Sequence, residues 1–232
     1  MHYIHEAARS LLHLLFPHVC TGCARTLNDS HTQLCLQCLD ALPLTHFEKI
    51  AGNPVEKKFF GRLPLHAAAS YCYFTPGSLV QQLMHEIKYR GNKALALQLG
   101  RLMGEAIRAA GRIKPDMLVP LPLFAGKEKK RGYNQASLLC EGMAEIMHLP
   151  VAKNAVKRVT HTDSQTRKGR MERWENVEGR FMAADTLAIQ NRHILLVDDV
   201  VTTGATLEAC GMALLQEQNV TLSMATLCFA GR

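Results

Sequence analysis

The 232-residue sequence has no long apolar run. Nothing in it approaches the roughly 18 to 20 uninterrupted apolar residues that a membrane helix needs, because His, Glu, Arg or Gly breaks every candidate. Its first fifteen residues, MHYIHEAARSLLHLL, lack a basic start and a small-residue cleavage site, and they carry Glu6 and Arg9 inside the apolar pattern. A secretory signal is therefore disfavoured and the cytoplasm is the expected compartment. No GxxxxGK[ST] stretch is present, which removes a Walker A phosphate cradle. Internal repeats are absent as well. Aromatic residues make up only 6% of the chain, with one tryptophan, and acidic residues are outnumbered 20 to 27 by Lys and Arg, for a formal charge of +7. What is there is ordinary globular material: 47% hydrophobic and 20% charged, which excludes intrinsic disorder and collagen-like classes for most of the chain. The length suits one α/β domain with a small appendage.

Without export, the eight cysteines read as reduced thiols or metal ligands. Four of them form Cys20-x2-Cys23-x11-Cys35-x2-Cys38, two CxxC knuckles in a stretch too polar and turn-rich to own a core. Four thiolates suit tetrahedral Zn²⁺ with no open position, so the expected role is structural. His18 and His31 lie close enough to stand in for a cysteine, and a redox role for either CxxC would need a thioredoxin-like βαβ context that is missing. Cys72, Cys140, Cys210 and Cys228 fall inside expected strands and helices and read as core residues.

The organisation follows from periodicity and punctuation. Residues 1–17 hold an amphipathic helix over 3–15 that Pro17 ends; 18–40 are the cysteine knuckle; 41–65, with Pro43, Gly52, Asn53, Pro54, Gly61 and Pro64, read as a linker or loosely held hood; 66–232 are the main domain. In that domain strands are expected at 67–74, 117–121, 155–159, 193–197 and 221–228. Helices are expected at 78–88, 92–108, 135–148 and 206–216, with a basic loop after the second strand, a mobile loop at 160–168 and a helical turn at 171–177. Alternating β and α elements imply a mostly parallel sheet, five-stranded or slightly larger, with helices on both faces and ligands at the carboxyl ends of the strands. Between residues 127 and 180 there are twelve Lys/Arg against seven Asp/Glu, so a surplus of +5 lies mid-chain. Such a segment suits loops lining an anionic ligand, or simply a solvated positive face.

The most informative stretch is ILLVDDVVTTGAT at 194–206. A buried strand runs into two carboxylates and then into a Thr/Gly-rich turn that opens a helix. The turn offers backbone N–H groups, the hydroxyls of Thr202, Thr203 and Thr206, and the positive end of the helix, while Gly204 lets the backbone approach a ligand closely. Paired carboxylates beside a phosphate are repulsive unless they accept hydroxyl protons or hold a metal. Asp198 and Asp199 thus point to a sugar phosphate with free ribose hydroxyls and Mg²⁺. A response-regulator receiver domain also begins with paired Asp after a strand, but it needs more than a hundred residues beyond them, and 33 remain here.

Residues 194–206 resemble the motif that binds phosphoribosyl pyrophosphate (PRPP) in type I phosphoribosyltransferases. The N-terminal CxxC pairs, HEIKYRGNKALALQLG at 85–100, the VPLPL strand with RGYNQA at 131–136, and SQTRKGRMERWENVEGRF at 164–181 are together similar to the ComF/GntX family. That family joins a zinc-ribbon-like module to a phosphoribosyltransferase-type domain and is linked to competence and the use of external DNA. The resemblance implies a type I phosphoribosyltransferase-like α/β fold in which Asp198 and Asp199 are the catalytic carboxylates, binding the ribose hydroxyls directly or through Mg²⁺. It further implies that Thr202, Thr203, Gly204, Ala205 and Thr206 hold the 5-phosphate. Lys127 and Arg131 would lie on the pyrophosphate side, and Arg158, Arg167 and Lys168 would flank or occupy a closing loop, with Gln165 and Asn176 as weaker candidates. PRPP transfer needs positioning, leaving-group stabilisation and exclusion of water, with no side-chain nucleophile. The alternative is an adaptor for single-stranded nucleic acid, in which Tyr133 and Trp174 stack on bases within the basic segments while Tyr71, Tyr73 and Phe74 pack in the core. A DNA-uptake protein as partner and an oligomeric assembly fit either reading.

Overall fold

The computed structural model describes residues 17–159 and 180–231. The expected helix at 3–15, the loop at 160–168, the turn at 171–177, and with them Gln165, Arg167, Lys168, Trp174 and Asn176, lie outside the described residues. In chain order the elements are α1 (Leu36–Asp40), α2 (Pro54–Phe59), β1 (Ala67–Tyr73), α3 (Leu79–Tyr89), α4 (Lys93–Ala110), β2 (Met117–Pro120), α5 (Ala125–Arg131), α6 (Gln135–Met147), β3 (Val156–Val159), β4 (Arg180–Ala183), α7 (Thr186–Ile189), β5 (His193–Val201), α8 (Ala205–Leu215) and β6 (Thr221–Phe229).

The main sheet is parallel, in the order β1-β6-β5-β2. It has four strands among the described residues, where five or more were expected. The fifth strand is reduced to a single parallel bridge, Val151 to Leu118, and the segment read as a strand at 155–159 pairs instead with β4 as an antiparallel ribbon. Ile194 to Val197 of β5 are fully buried, as a near-continuous apolar run in a two-sided parallel sheet should be.

The helices owe their ends to local chemistry. Ser78 Oγ accepts from Gln81 N, Asn92 Oδ1 from Leu95 N and Asn134 Oδ1 from Ala136 N, each side chain capping the first turn of its helix. Helix α4 buries Leu95, Ala96, Leu99, Met103 and Ile107 at helical spacing. It meets α6 backbone to backbone, with Gly100 against Leu139 and Gly142 against Leu97, where no side chain would fit.

Two expectations change here. The segment 41–65 is no loose cover: Phe47, Val55, Phe59 and Leu63 are all buried in the common core. Asn53 is the reason. Its Oδ1 caps α2 through Val55 N and Glu56 N, Pro54 fills the first helical position, and its Nδ2 donates to the carbonyls of Phe47, Ile50 and Ala68. The basic loop after β2 is likewise helical. Helix α5 gathers Lys129, Lys130 and Arg131 in its last turn, where cations complement the helix dipole, and ends at Gly132 with φ +77°.

Candidate functional site

The cysteine cluster is assembled by short-range hydrogen bonds. Cys20 N donates to Arg25 O and Ala24 N to Cys20 O, closing the first CxxC turn, and Thr21 N donates to Gln33 O to join it to the second. The sulfurs of Cys20, Cys23, Cys35 and Cys38 all lie within 4.8 Å of one another. Cys23 and Cys35 are 3.6 Å apart, and Cys35 N donates to Cys20 Sγ at 3.2 Å. Ligands about 2.3 Å from a tetrahedral Zn²⁺ stand roughly 3.8 Å from each other, so the donor set and its spacing fit that ion. Burial pushes the Cys20 thiol up, but N–H groups of Cys35, Cys23 and Gly22 outweigh it and bring it down to about 6, the signature of a site built for thiolate. The Cys38 thiol is pushed up by its own burial and by the neighbouring sulfurs. A Cβ on Gly22 would stand 2.8 Å from Cys38 Sγ and from Leu79 Cδ1, so the turn is closed against α3. His18 is used elsewhere, its Nε2 lying 2.5 Å from Thr32 O.

The second constellation sits where β5 outruns its neighbour. Strand β2 stops at Pro120, and Leu121 N makes the last bond on that side, 2.8 Å to Val197 O. From Asp198 to Val201, β5 is paired only with β6 among the described residues, so the carboxylates expected beyond the strand lie within it, along an edge that β2 leaves free. Consecutive strand residues leave opposite faces, and the two carboxylates find different company. Asp199 Oδ2 is 2.8 Å from Lys88 Nζ of α3, their side chains 14% and 20% exposed. Asp198 accepts from Asp199 N at 2.8 Å and senses Arg158 of β3 and Cys210 of α8. Burial, then the Asp199 charge, pushes the Asp198 carboxyl well above the usual carboxylate range, against the pull of Asp199 N–H, Lys88 and Arg158. Burial also pushes the Cys210 thiol up, leaving it protonated and inert.

After Val201 the chain turns through exposed Thr202 and Thr203 to buried Gly204, whose φ of +85° only glycine adopts without strain. Its Cα faces Phe59, whose Cε1 would stand 2.8 Å from any Cβ added there. Thr203 Oγ1 accepts from Ala205 N at 3.4 Å, and Glu208 in the first turn of α8 is paired with Arg62. The turn thus presents backbone N–H groups at the start of an eleven-residue helix, a geometry that favours anions.

The remaining sequence candidates divide. Arg158 packs between two rings, its guanidinium 5.3 Å from that of Phe181 and 5.8 Å from that of Phe124, with Nε buried and unpartnered among the described residues, and its charge is felt at Asp198. Arg131 lies over Tyr89, 5.7 Å from its ring centre. Lys127 is exposed on α5. Sequence reasoning missed Lys88. Its only signal was its place in the 85–100 stretch, which carried a family resemblance but no role. The RGYNQA segment proves to be joinery: Tyr133 OH donates to Ile87 O, Asn134 Nδ2 donates to Leu121 O, and Gln135 is 2% exposed.

This arrangement can bind an anion at the turn and hydroxyl donors at the carboxylates, with Lys88 paired to Asp199 and the charge of Arg158 felt at Asp198. Comparison with known proteins adds the following. No family model matches the chain. It is 30% identical over 214 residues to the DNA utilization protein YhgH of Shigella flexneri, covering 90% of this chain and 89% of that one. It is 29% identical over 205 residues to the Competence protein F of Haemophilus influenzae, covering 86% and 85%. Among solved structures, a glutamine PRPP amidotransferase from B. subtilis shares 14% identity at a TM-score of 0.37, over 56% of this chain and 25% of that one.

Proposed function

Because this chain belongs to the ComF family, we propose that it is a PRPP-binding, phosphoribosyltransferase-like protein acting in the uptake or use of external DNA. The observation that carries the reading is the open end of β5, where Asp198 and Asp199 stand directly before the Thr202 to Thr206 turn at the head of α8. In this reading the two carboxylates accept the ribose hydroxyls and the turn holds the 5-phosphate. Lys127 and Arg131 are the cations of the pyrophosphate side, and Arg158 adds a further positive charge beside the acidic pair. The link to external DNA comes from what the relatives are named for.

The knuckle holds structural Zn²⁺ through Cys20, Cys23, Cys35 and Cys38, closing the N-terminal module onto α3 and α4; Gln82 Nε2 donates to Thr21 O there, and Gln33 N to Gln98 Oε1. Mg²⁺ enters as the counter-ion of the ligand. Lys88 already occupies one oxygen of Asp199, so the chain offers the ion few donors of its own, and Mg²⁺ is ordinarily held by one or two carboxylates plus substrate phosphates.

Calorimetric titration of zinc-loaded protein with PRPP and Mg²⁺ tests the reading. Wild-type binding in the micromolar range is expected. Hydrogen bonds to charged groups contribute about 1.5–3 kcal/mol each, so the Asp198→Asn/Asp199→Asn variant, losing two, should bind at least about 100-fold more weakly. A well-folded wild-type protein that takes up no PRPP overturns it.

A further inference from the structure

The two members of the acidic pair have different neighbours. They point to opposite faces of β5, Asp198 toward the side of Arg158 and Cys210, Asp199 toward α3. Among the described residues Lys88 is the cation within ion-pair distance of Asp199, and it is held there by more than its own charge. Three consecutive residues at the end of α3 each contact a different segment. Ile87 offers its carbonyl to Tyr133 OH, Lys88 reaches Asp199, and the Tyr89 ring lies under the Arg131 guanidinium at the end of α5. The end of α3 therefore ties the open edge of β5 to the basic helix. Lys88 Nζ has three N–H donors, of which the Asp199 oxygen takes one.

We propose that Lys88 is a specificity-determining residue of the cleft. It selects a ribose phosphate that carries a diphosphate beside its hydroxyls over one that carries only the 5-phosphate. The inference rests on the reading of the cleft as a PRPP site. A diphosphate on the carbon next to a hydroxyl that donates to Asp199 lies within a few ångströms of that carboxylate, where two unscreened anions repel strongly in a partly buried site. Lys88 removes that repulsion by standing between them, bonded to the carboxylate on one side and free to donate to the diphosphate on the other. The 5-phosphate needs no such help, because the turn at Thr202 to Thr206 and the head of α8 supply its donors. Arg131, whose guanidinium lies 5.7 Å from the centre of the neighbouring Tyr89 ring, is in this proposal a second cation for the diphosphate.

The test uses the full zinc-loaded chain with three variants, Lys88→Met, Lys88→Arg and Arg131→Gln, each checked for native melting. Every protein is titrated with PRPP, ribose 5-phosphate and inorganic pyrophosphate in the presence of Mg²⁺. Lys88→Met is expected to weaken PRPP and pyrophosphate at least tenfold while ribose 5-phosphate changes less than threefold. Lys88→Arg should recover most of the PRPP affinity, and Arg131→Gln should show the same selective loss in smaller degree. If Lys88→Met weakens all three ligands equally, Lys88 only holds the acidic pair in place and the proposal is wrong. Unchanged PRPP affinity in Lys88→Met also overturns it, while leaving the PRPP reading intact. Absence of PRPP binding by the wild-type protein defeats that reading and this inference together.

Discussion

The knuckle and the cleft solve opposite problems. The knuckle draws four like groups from the single stretch 20–38, and the turns that converge them are closed and joined by hydrogen bonds within that stretch, so the cluster is a local object. The acidic site draws unlike groups from residues 88, 158 and 198–199, carried by α3, β3 and β5, and exists only once the sheet has stacked those elements at one edge. Such a site inherits its electrostatics from the packing. Asp198 is held well above its ordinary value by burial next to Asp199, whereas Cys20 is drawn down to about 6 by N–H groups of its own neighbourhood.

That contrast can be broken most severely at the knuckle. Structural zinc contributes on the order of 10 kcal/mol to the folding of small modules, so Cys38→Ser should release the metal and open residues 17–40 to protease, while the sheet domain still melts cooperatively. Zinc content by atomic absorption and limited proteolysis measure this. A knuckle that stays protected without metal would show that packing on α3, not the ion, holds it.

The cleft yields to a smaller blow. Gly204→Val puts a β-branched side chain at φ +85° and a Cβ 2.8 Å from the Phe59 ring, which is 1% exposed. Left-handed strain and overpacking together should cost about 2–4 kcal/mol, or roughly 5–15 °C in Tm for a domain of this size. Thermal unfolding by calorimetry reads it. An unchanged Tm would mean that the turn is free to rearrange and is not a preformed cradle.

Smallest is the effect of Asp198→Asn on stability. A carboxyl raised in the native state supports the fold fully below the ordinary Asp value of 3.8, and that support is lost as pH climbs through the raised value. Removing the charge should therefore make the variant melt higher than wild type at pH 8, with the gap closing toward pH 4. A variant less stable than wild type at pH 8 would mean that the carboxylate contributes to the fold through Arg158 and Lys88 more than its burial costs. The expected gain in stability beside a loss of ligand is the mark of a functional charge.

How much was legible follows the same division. The CxxC spacing and the DD-to-TTGAT junction could be read directly, because each is a run of residues whose geometry is set within a turn or two. The segment 41–65 could not. Its Pro, Gly and Asn residues are the usual signs of a loop, and here one of them, Asn53, is buried and spends its side chain on α2 and on carbonyls from three places in the chain. Lys88 was illegible for a related reason. A lysine in the last turn of an amphipathic helix is ordinarily a solvated cap, and nothing in its neighbours says that a carboxylate from a distant strand will lie 2.8 Å away.

From the amino-acid order alone came the α/β class with its parallel sheet, the four-thiol cluster, and the strand that ends in an acidic pair and a phosphate-type turn. All of these depend on periodicity, or on groups so close in the chain that few conformations are open to them. The strand order β1-β6-β5-β2, the early stop of β2 that leaves Asp198 and Asp199 without a strand on that side among the described residues, and the pairing of Asp199 with Lys88 were decided by tertiary packing. Which side chains meet across a sheet edge depends on how far each strand runs past its neighbour, and that is settled by the burial of whole elements against one another and not by any short stretch of sequence.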